Sequence, residues 1–313
     1  MLLVVCPNLA VDRILQVPDF KVTKVQRSRS VILQPGGKGS NVARVFRQLG
    51  GNVVLAGIVG RQNGTWIVNT LRGHGIHVEA VMGYSGVSRT CTIICDPESN
   101  THPTVINEES PEIDTDAEAT LLGKIEKWIP RVDAVLTIGS LSKGLRSDFY
   151  AEILDRARLR GKLTAIDAAG DVLRMGILAR PGFMKPNLEE FHEFARACSL
   201  SMLAPHTAIT FGEAGAVLFH EDNCIYASPP RVEKDNPIGA GDAFAAGYLI
   251  CRLNGGMPED CLRWAVTAAA CDAGTIRPGS IGYEKFRVML RAATVKQING
   301  RGLKPARVQE KWH

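Results

Sequence analysis

The stretch IGAGDAFAAG, residues 238–247, places two glycines and an aspartate directly before a run of small residues. Gly239 and Gly241 let backbone N–H groups point into a shared concavity, and the residues that follow predict a helix whose N-terminus is positively polarised. Such a helix start binds an anion. Asp242 would repel a bound phosphate, but a carboxylate here can take a proton from a hydroxyl group that attacks phosphorus.

A second glycine-rich stretch, QPGGKGSNVARVFRQLG, occupies residues 34–50. Its glycines allow close backbone approach, Lys38 supplies a mobile cation and Asn41 can orient a hydroxyl group. The stretch lacks the four-residue spacer that follows the first glycine of the Walker A loop, GxxxxGK[ST], and it does not match the dinucleotide fingerprint GxGxxG either. Turn glycines that only cap a helix are the alternative interpretation. Two such helix starts, one with Lys38 and one with Asp242, favour two binding sites, one for an acceptor and one for the transferred phosphate.

Strand-like and helix-like segments alternate along the chain. Continuous apolar runs predict strands, and apolar residues at helical spacing predict helices. Strands are predicted over 2–6, 53–59, 134–138, 163–167, 183–185 and 208–210, and helices over 41–49, 119–128, 147–160 and 188–198. We therefore expect an α/β fold with a mainly parallel central sheet and helices on both faces.

Two segments, 12–34 and 89–107, interrupt this alternation. They contain RILQV, SVIL and TCTIIC, which predict short strands with no helix to cover them. We expect these segments to form a small β-sheet lid over the mouth of the main sheet. The 313 residues suffice for a large core, and we expect a single domain over 1–313 that carries the lid.

The composition argues against several classes of function. The net charge of +5 is modest and spread along the chain, apart from clusters such as 21–29 and a basic tail at 304–311, so nucleic-acid binding is not indicated. The apolar opening MLLVVCPNLAVD is short and lacks a basic leader, which predicts a buried strand, not a signal peptide or membrane span. Eight cysteines without CxxC pairing predict reduced thiols, a cytoplasmic protein and no zinc site.

Polar and glycine residues follow several of the predicted strands, where ligands of open α/β sheets bind. These residues are Asp12, Gly139, Ser140, Asp167, Lys185, Asn187 and Gly212. We expect them to lie near one edge of the sheet. The alternative for Asp12, Asp167 and Glu190 is a helix N-cap or a surface carboxylate.

The motifs GGKGSNVA and NPIGAGDAFAAG resemble the two signatures of the ribokinase-like, phosphofructokinase B (PfkB) family of carbohydrate kinases, and the resemblance covers nearly the whole chain. The segment PNLAVDRIL and the lysine of GGKG are similar to the branch that phosphorylates sugar phosphates, such as 1-phosphofructokinase and tagatose-6-phosphate kinase. The resemblance implies a ribokinase-like fold. It also implies transfer of the γ-phosphoryl group of ATP to fructose 1-phosphate, tagatose 6-phosphate or fructose 6-phosphate.

The resemblance assigns roles on the acceptor side by position. Asp242 would be the general base, with an anion hole formed by the backbone of Gly239, Ala240 and Gly241. A further set would bind the substrate, with Lys38 and Arg89 on the phosphate of the sugar. That set is Asp12, Gly37, Lys38, Asn41, Arg89 and Ser140.

On the nucleotide side, the segment KPNLEE resembles the NxxE motif of the family, which implies that Asn187 and Glu190 hold hydrated Mg²⁺ on the phosphates of ATP. The segment TFGEAG resembles the nucleotide-binding turn. The implied cofactor-binding residues are Lys185, Asn187, Thr210, Gly212, Gly215, Ala268 and Cys271. The resemblance leaves a monovalent cation open, and it implies a homodimer formed through the lid.

Three segments depart from the family pattern, namely SLSKG, SRTC and DAAG. The changes lie on the acceptor side, so they bear on the identity of the substrate more than on the reaction. Lys143 in SLSKG is either an extra phosphate ligand or a solvated loop lysine, and the second is favoured.

Three other functions fit the sequence less well than a sugar-phosphate kinase. A kinase for a free sugar or a nucleoside would leave Lys38 and Arg89 without a phosphate to bind, and a catalytically idle sugar-binding regulator would not need the intact GAGD. A dinucleotide-dependent oxidoreductase lacks its GxGxxG turn.

Overall fold

The computed structural model describes residues 1–99 and 102–298. The strands are β1 (Leu2–Asn8), β2 (Ala10–Gln16), β3 (Ser30–Gly36), β4 (Val53–Gly60), β5 (His77–Tyr84), β6 (Thr90–Cys95), β7 (Thr104–Asn107), β8 (Ala134–Ile138), β9 (Leu163–Asp167), β10 (Phe183–Met184), β11 (His206–Thr210), β12 (Ala216–His220), β13 (Asn223–Ser228) and β14 (Thr294–Ile298). The α-helices are α1 (Lys38–Gln48), α2 (Gly64–Gly73), α3 (Ala117–Trp128), α4 (Phe149–Leu159), α5 (Gly170–Gly176), α6 (Leu188–Ala197), α7 (Ala240–Leu253), α8 (Pro258–Ala273) and α9 (Tyr283–Met289). Residues 100 and 101 of the predicted lid and the basic tail at 304–311 lie outside the described residues.

Ten strands form the main sheet, in the order β14-β13-β12-β11-β10-β9-β8-β1-β4-β5. Pairing is parallel from β5 through β11 and antiparallel from β11 to β14. Consecutive parallel strands need a long crossover connection between them, and each such connection here contains a helix or strands of the lid. The predicted α/β class with a mainly parallel sheet is therefore confirmed.

Helices cover both faces of this sheet, and β1 shows why. Leu2 and Val4 point to one face, where they pack with α1, α2, α7 and α8. Leu3 and Val5 point to the other, where they pack with α3, α4 and α5. A central strand that is buried on both faces has to be apolar throughout, which explains the continuous run LLVV.

A separate sheet of four strands, in the order β3-β2-β6-β7, projects from the carboxyl end of β1. We call it the lid sheet. Ile14, Ile93 and Cys95 are buried on its inner face, in a cluster that also contains Ile238 and Ile276 of the main body. The lid sheet therefore packs next to the GAGD segment, because Ile238 directly precedes Gly239.

The eight cysteines are all free thiols, and all but Cys198 are buried. Burial raises the pKa of Cys6, Cys91 and Cys95 to about 11, so these thiols stay protonated at neutral pH. Over the part of the chain that is described, no helix combines the length and the apolar character that a bilayer crossing requires.

Close contact between α7 and α8 depends on Gly247. A Cβ atom at this position would lie 2.8 Å from the carbonyl oxygen of Trp264 and 2.9 Å from the Cβ of Ala268. We expect Gly247→Ala to lower the free energy of unfolding by about 1–3 kcal/mol, because overpacking forces the two helices apart. Urea denaturation measures this change.

Gly123 offers a matched control in α3, since a Cβ there would meet nothing within 4 Å. Gly123→Ala should be neutral or stabilise the protein by about 0.5–1 kcal/mol, because alanine favours the helix. Equal effects of the two substitutions would contradict the packing described for α7 and α8.

Candidate active site

The first turn of α7 carries the aspartate of the GAGD stretch. Gly239 precedes the helix with a φ of 97°, a left-handed conformation that suits glycine. The N–H of Ala240 donates to the carbonyl oxygen of Pro237 at 3.2 Å, whereas the N–H groups of Gly239 and Gly241 have no acceptor among the described residues. Two of the three predicted anion-hole N–H groups, those of Gly239 and Gly241, are thus available to a ligand. The N–H group of Ala240 is already bonded to Pro237.

Asp242 is buried in this turn, and Asn41 of α1 donates its side-chain N–H to Asp242 Oδ2 at 2.8 Å. Burial raises the pKa of Asp242 from 3.8 to about 7, and the nearby charge of Asp167 adds to the rise. Lys38, Lys185 and the hydrogen bond from Asn41 oppose it. The result is a carboxylate that can both accept and release a proton near neutral pH.

Asp167 at the end of β9 holds two lysines beside Asp242. Lys185 Nζ lies 3.2 Å from Asp167 Oδ2, and Lys38 Nζ lies 3.5 Å from Asp167 Oδ1. Burial by itself would raise the pKa of Asp167, but the two ammonium groups outweigh it and lower that pKa. The charge of Asp167 in turn raises the pKa of Lys38. Asp167 is therefore a buried ionised group, not the N-cap or surface carboxylate of the alternative interpretation.

The two lysines differ in exposure. Lys185 is buried, with its Nζ 3.5 Å from the position that a Cβ on Gly241 would take, and so lies beside the first turn of α7. The Lys38 side chain is 43% exposed. One ammonium group is therefore fixed near the anion hole, and the other can reach a ligand in the cleft.

A hydrogen-bonded cluster joins two residues of the predicted acceptor side, Arg89 and Ser140, to Asn8 and Ser110. Arg89 Nε donates to Asn8 Oδ1 at 3.0 Å, and Asn8 Nδ2 donates to Ser140 Oγ at 3.0 Å. Ser110 Oγ also donates to Asn8 Oδ1, at 3.3 Å. The arrangement places the guanidinium of Arg89 and the hydroxyl of Ser140 at the carboxyl end of β1.

Asp12 lies on the lid strand β2, opposite Gln34 of β3. It is buried, and burial raises its pKa, although Arg44, Gln34 and Arg89 oppose that shift. Gly37 is the N-cap of α1. Lys143 is exposed and lies 2.5 Å from Glu109 Oε2, which agrees with the favoured interpretation of a solvated loop lysine.

The loops after β10 and β11 lie side by side on the nucleotide side. Thr210 pairs with Asn187 as an isolated bridge, and its N–H donates to the carbonyl oxygen of Pro186 at 3.2 Å. Gly212 and Gly215 both have positive φ, in the turn that leads to β12. The structure therefore brings Thr210, Gly212 and Gly215 next to the KPN segment.

Asn187 and Glu190 form a capping box at the start of α6, in which each side chain accepts from the backbone N–H of the other at 2.8 Å. The second carboxylate oxygen of Glu190 stays outside this box. Its charge helps to raise the pKa of Lys38, after the charges of Asp167 and Asp242. Among the described residues, no group of three or more His, Cys, Asp or Glu side chains suits a metal ion. A hydrated Mg²⁺ fits this site, since it needs few protein oxygens.

Ala268 and Cys271 lie elsewhere. Both are fully buried in α8, where Ala268 faces Gly247 of α7 and Cys271 Sγ lies 3.5 Å from Met289 Sδ. Neither exposes surface that could line an adenine slot, so the position of these residues does not support that prediction. Small side chains at these positions serve the close packing of α7 against α8 instead.

Three functional candidates were missed in the sequence. Asn8 follows the buried run of β1, and Arg44 is a charged residue on a helix face that is otherwise buried. Asp272 is buried near the end of α8, and burial raises its pKa to about 8. Asn8 offered a signal because it follows a predicted strand, and Arg44 offered one because it lies three residues after Asn41, on the same side of the helix.

Comparison with known proteins places this arrangement in a class. The model of the family described as pfkB family carbohydrate kinase matches residues 1–280. A Thermotoga maritima protein described as a possible 1-phosphofructokinase has a similar structure, with a TM-score of 0.84 and 22% identity over 96% of this chain and 100% of that one. Phosphofructokinase-2 of Escherichia coli, solved in complex with fructose-6-phosphate, gives a TM-score of 0.80 and 19% identity over 93% of this chain and 98% of that one.

The same Escherichia coli protein was also solved in complex with potassium, and that structure gives a TM-score of 0.81 and 18% identity over 93% of this chain and 98% of the other. At these identities the structures show a common fold. The family model shows the class, which is a kinase with a hydroxyl group as its acceptor. The chain belongs to the pfkB family of carbohydrate kinases.

Proposed function

We propose that the protein is an ATP-dependent sugar-phosphate kinase. It transfers the γ-phosphoryl group to a hydroxyl of a phosphorylated ketohexose, such as fructose 1-phosphate, fructose 6-phosphate or tagatose 6-phosphate. The observation that carries this proposal is the position of Asp242. It is a buried carboxylate with a pKa near 7, in the first turn of α7, with two lysines held beside it.

Asp242 is the proposed general base. A carboxylate with a pKa near the working pH accepts a proton efficiently and releases it afterwards. The free N–H groups of Gly239 and Gly241, at the positive end of α7, stabilise the charge on the transferred group. Lys185 adds a fixed positive charge beside them. Positioning and electrostatics supply most of the rate in phosphoryl transfer, so no covalent intermediate is needed.

Lys38 and Arg89 are the proposed ligands of the phosphate already on the sugar. Asn8 and Ser140 fix the approach of Arg89, and Lys38 is a partly exposed cation held by Asp167. A phosphate dianion in a partly closed cleft needs such cations. The fructose-6-phosphate complex of the Escherichia coli structure and the description of the Thermotoga maritima protein support a phosphorylated ketohexose. Asp12, Gly37 and Asn41 are proposed to bind sugar hydroxyls.

The nucleotide is proposed to bind along Lys185, Asn187, Thr210, Gly212 and Gly215. Asn187 and Glu190 are proposed to hold Mg²⁺ through water. When bound, Mg²⁺ neutralises charge on the phosphates of ATP. The cytoplasmic localisation expected from the cysteine usage stays a prediction.

An assay of ADP release tests the acceptor. The panel contains fructose 1-phosphate, fructose 6-phosphate, tagatose 6-phosphate, free fructose, ribose and nucleosides, with and without K⁺. We expect turnover on a sugar phosphate only.

Arg89→Met should raise KM for that sugar phosphate about tenfold to hundredfold, because a charge-assisted hydrogen bond is lost. Arg160→Met, at the exposed end of α4, is the matched control and should leave KM unchanged.

Turnover on free sugars or nucleosides alone would contradict the proposed acceptor while keeping the proposed base. A protein that is silent across the panel yet binds a sugar would favour an idle regulator.

Asp242→Asn tests the base. The variant keeps the shape of the side chain and can still accept from Asn41, but it cannot take a proton. We expect kcat to fall by about 10²–10⁴-fold with ATP affinity near that of the wild type. In the wild type, kcat/KM should fall as the pH drops below about 7, since Asp242 is then protonated. Turnover close to that of the wild type would show that Asp242 is not the base.

Stability provides the control for this variant. The pKa of Asp242 in the folded protein, about 7, exceeds its ordinary value of 3.8. The proton on Asp242 therefore stabilises the fold fully below pH 3.8, and this stabilisation is lost as the pH rises through 7. At pH 8 the Asn variant should therefore be more stable than the wild type, by on the order of 1–4 kcal/mol. A loss of activity in a stabilised protein cannot come from misfolding.

A homodimer formed through the lid sheet is proposed as well. Val31 and Leu33 of β3 and Ile106 of β7 are each more than half exposed on its outer face, which leaves an apolar surface on the sheet. We expect sedimentation velocity to show a dimer, and Leu33→Glu to shift it towards monomer. Leu159→Glu, at an exposed position on α4, is the matched control. A single monomeric species across a concentration series would contradict the dimer.

A further inference from the structure

Arg44 of α1 is a buried arginine that contacts three separate parts of the molecule. Its Nη1 donates to the carbonyl oxygen of Pro35 at 2.7 Å. Its Nη2 donates to Asn41 Oδ1 at 2.5 Å and to the carbonyl oxygen of Pro278 at 3.0 Å. One guanidinium therefore joins the lid strand β3, the side chain of Asn41 and the loop that follows α8.

These contacts fix the orientation of the Asn41 amide. A carboxamide has one acceptor oxygen and one NH₂ donor, so a donor bound to Oδ1 turns Nδ2 in a defined direction. Here Arg44 occupies Oδ1, and Nδ2 donates to Asp242 Oδ2. Asp242 Oδ2 is thus engaged, and its Oδ1 is left to accept a proton from a substrate hydroxyl.

The charged groups around Arg44 also link it to Asp242. Arg44 is shielded from water, and burial lowers its pKa, while Asp12, Asp272 and Asp242 oppose that shift. Arg44 reaches Asp242 through Asn41, and Asp12 lies on β2 opposite Gln34, the neighbour of Pro35. A buried cation close to Asp12 and Asp242 lets both carboxylates exist in one small volume.

We propose that Arg44 is a positioning residue for phosphoryl transfer, which acts through Asn41 to aim Asp242 at the acceptor hydroxyl. The inference rests on the proposed function, because it needs Asp242 to be the base. Pro35 belongs to the lid sheet, and Pro278 lies against Gly239, where a Cβ would meet it at 2.9 Å. Arg44 therefore sets the base relative to both the lid sheet and the anion hole.

Arg44→Lys tests the geometry while keeping the charge. A lysine cannot reproduce the planar fork that reaches Pro35, Pro278 and Asn41 together. We expect kcat to fall about tenfold or more with KM for ATP within about twofold of the wild type, because a small misplacement of a reacting group is costly. Arg47→Lys is the matched control on the same helix, since Arg47 is exposed and its guanidinium donates to the carbonyl oxygen of Gly51 and to Asn52 Oδ1. It should leave kcat unchanged.

A double-mutant cycle tests whether Arg44 acts through Asn41. Asn41→Ala removes the group that transmits the effect, so Arg44→Lys on that background should change kcat by less than about twofold. Full additivity of the two substitutions would overturn the proposed route.

The pH profile separates positioning from a structural role. Arg44→Gln removes a positive charge near Asp242, so the acid limb of kcat/KM should move to higher pH. The other groups that act on Asp242, namely Lys38, Asp167, Lys185 and Asn41, are unchanged in this variant. Arg44→Lys keeps the charge, so its acid limb should stay in place. In a folded Arg44→Lys variant, a lower kcat with an unmoved acid limb therefore reports a misplaced base, whereas an unchanged kcat would indicate a merely structural role.

A second variant reaches Arg44 without altering a charged or hydrogen-bonding side chain. Gly279 has a φ of +70°, and a Cβ there would lie 2.8 Å from Asn41 Cα and 2.9 Å from Arg44 Nε. Gly279→Ala should therefore lower kcat about tenfold. Gly50→Ala is the control, because Gly50 also has a positive φ but a Cβ there meets nothing within 4 Å. This pair tests the proposal even if Arg44 variants fail to fold.

Failure of the proposed function and failure of the role of Arg44 would give different results. A folded wild type without kinase turnover on any acceptor would remove the proposed function itself. A wild type that turns over, with Arg44→Lys and Gly279→Ala both within about twofold of their controls, would overturn the role of Arg44 alone.

Discussion

The ion pairs of the buried Asp167 with Lys38 and Lys185 are the interaction on which the candidate site depends. The three residues come from the end of β9, the start of α1 and the loop after β10, so one carboxylate fixes three elements at the mouth of the sheet. Taking these charges out of water is costly, and loss of Asp167 would leave two cations uncompensated. The same lysines restrain the pKa of Asp242, which burial raises. The electrostatics of the proposed base thus depend first on Asp167.

Acidic groups around α7 show a conflict between stability and function. Burial raises the pKa of both Asp242 and Asp272, to about 7 and about 8. A fold selected for stability alone would hold neutral side chains at such positions. The neighbouring backbone contributes as well, since Gly239 needs a left-handed conformation and lies close to Asp272. Buried acidic groups therefore concentrate at the point where α7 begins.

Much of this site could be predicted from the sequence, because the decisive residues lie at helix starts and strand ends. The glycines around Asp242 and Lys38 predicted two helix starts, and both exist at α7 and α1. The alternation of segments predicted the fold class. The roles of Asn8 and Arg44 could not be predicted, since they depend on which distant segments meet. Asn8 bonds to Ser140 across 132 residues, and Asn41 bonds to Asp242 across 201. The small residues at Ala268 and Cys271 are ambiguous for a related reason, because a sequence does not distinguish a packed helix face from a ligand slot.

The thiols on the inner face of the lid sheet give the molecule an internal probe of its own motion. Cys95 packs with Ile14 and Ile93 against Ile238, the residue beside the anion hole. A reagent in water reaches that sulfur only when the lid sheet separates from the main body, so the rate of thiol modification reports the frequency of opening. Because one apolar cluster joins the lid sheet to the GAGD segment, a ligand that orders that segment would also slow the modification. The rate at which Cys95 is modified would thus report how strongly the two sheets are coupled, and no cysteine has to be introduced for the measurement.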